Sequence, residues 1–259
     1  IRYVQDFEQR FSRFLPHSEV NAFREASPGE YILSKELTLL LSVADRLRTL
    51  TVGAYDPAVA GFLESAGYGG QHQSSLVQDN TQWHLPRWSL LGDKLTLDGP
   101  IAFDLGGIGK GYCIDRVADI LQRAGYAYFL VDGGGDMMAT TKADGSAWNV
   151  AIEYPGRPEM AASLVHLSHQ GLAVSDSFRR RFGKWHHLID VKKQKSVEKI
   201  VGCAAVAESA WLADCMTSGL FFSSTRRYHI LAREFRSVYL VFPDDQTFIA
   251  SADWKGELL

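Results

Sequence analysis

The order of its periodic segments limits what this chain can fold into. Apolar residues recur at helical spacing at Val4, Phe7, Phe11 and Phe14, and again over 35–50 at Leu37, Leu40, Leu41, Ala44 and Leu47. "TVGAYDPAVAGFLESAGYGG" then reads as a Gly/Pro-marked loop holding a short helix. After it, strands dominate. "KLTLDGPIAFDL" reads as two short strands about an Asp98-Gly99-Pro100 turn, and "YAYFLV" as a buried strand. "AWNVAIEY", "SLVHLS", "GLAVS" and "VGCAAVA" read as further strands, with "SVYLVFP" and "TFIAS" as a closing hairpin. Two helices interrupt them. One carries Ile114, Val117, Ala118 and Leu121 on a single face and stops at Gly125; the other runs from about Ser209 to Phe222. Helices first and strands after, without regular alternation, predict an α+β fold and not a βαβ array. Residues 71–89, polar with two tryptophans, read as a variable surface segment.

Two glycine loops and one helix carry the chemistry. "DLGGIGKGY", Asp104 to Tyr112, precedes a helix whose first turn offers free N–H groups and a partial positive charge. It is not a Walker A loop, because Gly109-Lys110 is followed by Gly111 and not by Ser or Thr; nor does it fit the dinucleotide fingerprint. A tight turn and an anion site both remain open for it. "DGGGD", Asp132 to Asp136, reads either as a β-turn with a bulge or as close backbone contact with a ligand. In "SAWLADCMTSGLFF", Asp214 and Ser218 lie one helical turn apart among Trp211, Cys215, Phe221 and Phe222. A carboxylate there is costly unless it is paired or holds a cation. Carboxylate and hydroxyl oxygens are hard ligands suited to Mg²⁺ or Ca²⁺.

Other classes are constrained by composition. The net charge of −3 gives no basic field for nucleic acid, and the arginines at 226, 227 and 233 are too sparse to change that. No apolar run reaches the roughly 18 residues of a membrane helix. The three cysteines, Cys113, Cys203 and Cys215, form no Cys-x-x-Cys pair, which argues against a cysteine zinc site and a disulfide framework. Starting at Ile1, the chain reads as a mature or trimmed form.

Taken in order, "FSRFLPHSEVNAF", "GAYDPAV", "FDLGGIGKGYCIDRVADIL", "LVDGGGD", "AVSDSFRR", "HHLID" and "WLADCMTSGLFF" resemble the ApbE family of FAD:protein FMN transferases over roughly residues 7–240. The resemblance implies one ApbE-like domain over 1–259. Its two α+β halves would hold mixed and antiparallel sheets with packed helices, an FAD cleft between the halves, and no counterpart of the family's N-terminal strand. It implies FAD as substrate with Mg²⁺, or Ca²⁺ or Mn²⁺ in its place. The FMN half would pass to a Thr or Ser hydroxyl of a partner flavoprotein, with AMP leaving. Metal ligands would fall on the Gly107 carbonyl, Asp214 and Ser218. FAD contacts would fall on Phe14, Ala54, Tyr55, Asp56, Asp104, Lys110, Leu188 and Thr217. Phe14 also fits the apolar face of the first helix. His187 would be catalytic with Asp214, drawing the proton from the acceptor hydroxyl, or would make a structural hydrogen bond beside Asp190; His186 is the weaker candidate of the pair, and the remaining histidines, His72 among them, lack motif context. The acceptor would be a redox-complex subunit or a reductase with a Ser/Thr flavinylation motif. A periplasmic or inner-membrane location would follow, near the membrane through the acceptor or a missing lipid anchor. An FAD diphosphatase and an FAD-binding protein without turnover are the rival readings. Three departures stand out: Ser218 where threonine is usual, Asp176 where glycine is usual, and "HHLIDVKKQK" without the family's Pro and Thr-Gly.

Overall fold

The computed structural model describes residues 1–69, 84–243 and 247–259. Its helices are α1 (Arg2–Phe11), α2 (Lys35–Leu50), α3 (Ala60–Ser65), α4 (Gly109–Arg123), α5 (Ala210–Phe221) and α6 (Tyr228–Glu234). Its strands are β1 (Gly29–Ile32), β2 (Trp88–Leu91), β3 (Lys94–Leu97), β4 (Leu130–Asp132), β5 (Met137–Ala139), β6 (Trp148–Tyr154), β7 (Arg157–Leu167) and β8 (Gln170–Asp176). They continue with β9 (Arg181–Phe182), β10 (Trp185–His186), β11 (Ile189–Asp190), β12 (Lys195–Ser196), β13 (Ile200–Ala207), β14 (Val238–Pro243), β15 (Ile249–Ala250) and β16 (Glu257–Leu258). The α+β expectation holds: helices stand beside antiparallel sheets. The chain divides into two compact units, residues 1–106 with 181–196, and residues 107–180 with 197–259. The division falls inside the first glycine loop, between Gly106 and Gly107.

In the first unit, a three-stranded antiparallel sheet in the order β1-β3-β2 is accompanied by α2. Ser34 caps α2, its hydroxyl accepting from Leu37 N at 3.3 Å. The helix buries the leucine stripe read from the sequence. Phe23, Trp88 and Phe103 meet edge to face beside it, with centroids 5.5–6.0 Å apart. Two short hairpins, β9–β10 and β11–β12, complete this unit.

In the second unit, six antiparallel strands run in the order β15-β14-β13-β8-β5-β4. Alternation along β8 and β13 sorts two faces. Leu172, Ala204 and Val206 pack with Ile152, Val165 and Leu167 of the β16-β7-β6 sheet. Ser175 and Cys203 instead reach Thr217 of α5, so α5 is covered nearly all round. None of the three cysteines is in a disulfide, and burial pushes the Cys203 and Cys215 thiols up, which makes both inert.

Several expectations need correcting. "IAFDL" is not a strand: Ile101 N donates to the Phe23 carbonyl at 2.9 Å and Asp104 N to the Pro57 carbonyl at 2.7 Å, and the hairpin partner of "KLTL" is β2. In "YAYFLV" the strand begins only at Leu130, and Tyr126 and Tyr128 are exposed. Trp88 belongs to the core and not to a surface segment, because its ring packs on Phe103 and its Nε1 donates to Asp56. Phe14 lies past the end of α1 and is 53% exposed, so it is not a core side chain. Residues 71–83 of that proposed segment, His72 among them, lie outside the described residues. Asp176 needs no positive φ; its carboxylate accepts the N–H groups of Phe178 (2.7 Å) and Arg179 (2.8 Å).

Candidate active site

The second unit gathers the metal-ligand candidates. Ser218 Oγ donates to the Gly107 carbonyl at 2.6 Å, across 111 residues of sequence. Asp214 stands one turn before Ser218 on α5, and its Oδ2 accepts Gly111 N of α4 at 2.9 Å. Asp214 is only 2% exposed. α4 comes this near because residue 111 is a glycine. A Cβ there would stand 2.8 Å from the Asp214 Cβ and closer still to the Ala210 carbonyl oxygen. Asp115 of α4 clamps the same crossing: its two carboxylate oxygens accept Ala210 N (2.8 Å) and Trp211 N (3.0 Å), the free N–H groups at the start of α5. Thr217 points away from this oxygen set. It is fully buried, donates to the Asp214 carbonyl at 2.9 Å and accepts from Ser175 Oγ at 3.1 Å.

Lys110, on the first turn of α4, makes a short ion pair with Asp136, which is 0% exposed. Burial pushes the Asp214 carboxyl up and the Asp136 charge adds to the rise, while Lys110, the Gly111 N–H and Arg180 oppose it. Burial alone would lower the Lys110 pKa; the charges of Asp214 and Asp136 outweigh it and hold the ammonium. Two buried carboxylates thus share one lysine. That surplus of negative charge, with the Gly107 carbonyl and Ser218 hydroxyl beside it, fits a hard divalent cation. Among the described residues no three His, Cys, Asp or Glu side chains cluster as a metal cage. Such a donor set suits Mg²⁺, which keeps waters and ligand oxygens for the rest of its octahedron.

The first unit holds the other candidates. Asp104 is fixed twice, by its Oδ1 accepting Gly106 N at 2.7 Å and by Arg13, whose Nε lies 2.9 Å from Asp104 Oδ2. Arg13 also donates to Glu64 at 3.0 Å, and its guanidinium lies 4.3 Å from the Phe14 ring and 5.1 Å from the Tyr68 ring. Neither Arg13 nor Glu64 stands out in the sequence, where a lone arginine after an apolar run resembles any surface cation. Ala54 accepts Val191 N at 3.1 Å through its carbonyl, and Tyr55 and Leu188 are buried. Asp56 caps the turn at Ala58 (2.9 Å) and accepts Trp88 Nε1 (3.0 Å). Its carboxyl is pushed up by burial, against those bonds and Arg48. His187 stacks on Tyr68 with centroids 6.3 Å apart. Asp190 accepts from Lys192 N and Lys193 N and pairs with Lys193 Nζ at 2.6 Å, closing the turn before β12.

The chain as a whole is similar to known proteins. The chain is 25% identical over 242 residues to the FAD:protein FMN transferase of Vibrio cholerae, covering 87% of this chain and 72% of that one. It is 26% identical to the Haemophilus influenzae protein of the same name over 275 aligned positions, 96% of this chain and 79% of the relative. Two solved structures share the fold. The flavin transferase ApbE from Vibrio cholerae superposes with a TM-score of 0.82 at 23% identity, over 98% of this chain and 87% of that one. The ApbE protein from Thermotoga maritima superposes with 0.83 at 20% identity, over 97% and 87%. The ApbE family model matches residues 1–242, and the chain belongs to the ApbE family.

Proposed function

We propose that this protein is a Mg²⁺-dependent FAD:protein FMN transferase. It would move the FMN half of FAD to a Ser or Thr hydroxyl of a partner flavoprotein and release AMP. The observation that carries the reading is the meeting of the Gly107 carbonyl with Ser218, one helical turn from buried Asp214. Relatives that the chain matches over 72% and 79% of their own length bear the name of that activity.

When bound, the cation supplies charge neutralisation at the diphosphate, the main need in phosphoryl transfer. Asp214, Ser218 and the Gly107 carbonyl would hold it. Lys110 offers its ammonium toward the diphosphate oxygens. Phe14 presents an exposed ring for a flavin or adenine face. The acceptor oxygen bonds to the FMN phosphorus, the bond from that phosphorus to the bridging oxygen breaks, and AMP leaves with the electron pair. His187 takes the hydroxyl proton.

One incubation tests this: FAD and Mg²⁺ with the protein, with and without a flavoprotein carrying a Ser/Thr flavinylation motif. AMP together with a fluorescent acceptor band on a denaturing gel is the expected result. AMP and free FMN without acceptor mean hydrolysis instead. Bound FAD with no AMP in either sample defeats the transferase reading.

A further inference from the structure

The reaction set out above gives Asp136 no task, yet it is among the most completely buried carboxylates described. It is 0% exposed; one oxygen holds the Lys110 ammonium and the other accepts Val174 N at 3.3 Å. The three glycines before it form the β4–β5 turn. Asp132 Oδ1 accepts Gly134 N (2.9 Å) and Gly135 N (3.0 Å), both glycines having positive φ, and Gly133 N donates to the Asp136 carbonyl at 2.9 Å. "DGGGD" is therefore a turn, and what it delivers to the site is a carboxylate.

That carboxylate changes what Lys110 can do. Its ammonium is answered inside the protein before any ligand arrives. An anion approaching the first turn of α4 meets Asp136 and Asp214 against one lysine. Arg180 adds a positive charge, but it is solvent-exposed and screened. The cation-free site therefore offers a diphosphate little net attraction, and a divalent cation supplies the missing positive charge. We propose that Asp136 is a positioning residue that makes FAD binding conditional on the divalent cation, by holding Lys110 and cancelling its charge. This rests on the flavin-transfer reading and deepens it. By linkage, FAD tightens the cation to the same degree that the cation tightens FAD.

The test measures binding by the full chain, with no turnover needed. FAD dissociation constants are read from flavin fluorescence in Mg²⁺ and in EDTA, and their ratio is the coupling. For Asp136→Asn, which keeps an acceptor for Val174 N, the ratio falls about tenfold or more, chiefly because affinity in EDTA rises. A purely structural role would weaken FAD under both conditions alike and leave the ratio unchanged, which overturns the proposal. If Asp136→Asn fails to fold, Lys110→Met carries the test. Without the ammonium, Asp136 is uncompensated and the ratio rises above the wild-type value; an unchanged ratio there also overturns it. Wild-type protein that binds FAD equally well in Mg²⁺ and EDTA refutes this inference alone. Wild-type protein that binds no FAD in either refutes the flavin reading and this inference with it.

Discussion

In the first unit, Asp56, Glu64 and Asp104 each face an arginine. Arg48 lies 3.6 Å from Asp56, Arg13 and Arg24 reach Glu64 at 3.0 and 2.6 Å, and Arg13 reaches Asp104 at 2.9 Å. In the second unit, Asp136 and Asp214 share Lys110. The first set is neutral as folded and can be rigid without a ligand. On the proposed reading, the second is a cation site whose buried carboxylates cost stability until the cation arrives. Binding to such a site adds directly to the free energy of the folded state. The contrast predicts that substitutions in the two units will be separated by their response to Mg²⁺.

The largest effect belongs to Asp214→Ala. FMN transfer should fall at least about a thousandfold, roughly 4 kcal/mol, because the only carboxylate assigned to the cation is gone. For wild type, Mg²⁺ at a hundred times its Kd adds about 2.7 kcal/mol and raises Tm by several degrees. The variant should lose that rise, while its Tm in EDTA stays at or above wild type because a buried charge has been removed. A variant that keeps both the activity and the Mg²⁺ shift would show that the cation sits elsewhere.

Arg13→Met should cost about 3–5 kcal/mol, because Glu64 and Asp104 lose a buried partner. For a chain of this size that is a Tm drop of roughly 10 °C. The drop should be the same in EDTA and in Mg²⁺. A drop that appears in only one of the two conditions breaks the separation between the units.

Gly111→Ala tests the crossing that holds Asp214. The new methyl group meets the Ala210 carbonyl, which is helix backbone and cannot turn aside. Overpacking of this kind costs about 1–3 kcal/mol. Calorimetry should also show weaker Mg²⁺ binding, because the shift separates Gly111 N from Asp214. Unaltered Mg²⁺ affinity in a destabilised variant would mean that the α4–α5 contact supports the fold alone.

Local signals in the sequence match the structure, and long-range pairings leave no local signal. α2 coincides with the predicted 35–50 because its stripe and its Ser34 cap are local. α5 was legible because an aspartate in an apolar helix is a local contradiction. β1, α6 and β16 carry too few periodic residues to be noticed. The same holds at the site. The glycine loop and Asp214 announce themselves as segments, but nothing in either says that Gly111 meets Asp214 across 103 residues. Arg13 is a harder case, since only folding shows that it is buried against Glu64, 51 residues on. Asp136 was visible only as the end of a glycine run, where the glycines draw attention and the carboxylate does the pairing.

The smallest expected change in stability is also the sharpest test of the first unit. Phe14 is 53% exposed, beyond the end of α1, with one ring face on Arg13. Removing the ring in Phe14→Ala forfeits a cation–π contact worth about 0.5–1 kcal/mol and little buried area. A core phenylalanine would cost about 3–5 kcal/mol. The exposed ring face therefore has little to do for the fold, and on the proposed reading it stacks on FAD. The FAD Kd should rise about tenfold, while Mg²⁺ affinity measured without FAD stays at the wild-type value, because all three proposed cation ligands belong to the other unit. A loss of 3 kcal/mol or more in the melt, with FAD affinity unmoved, would return Phe14 to the role of a packing residue.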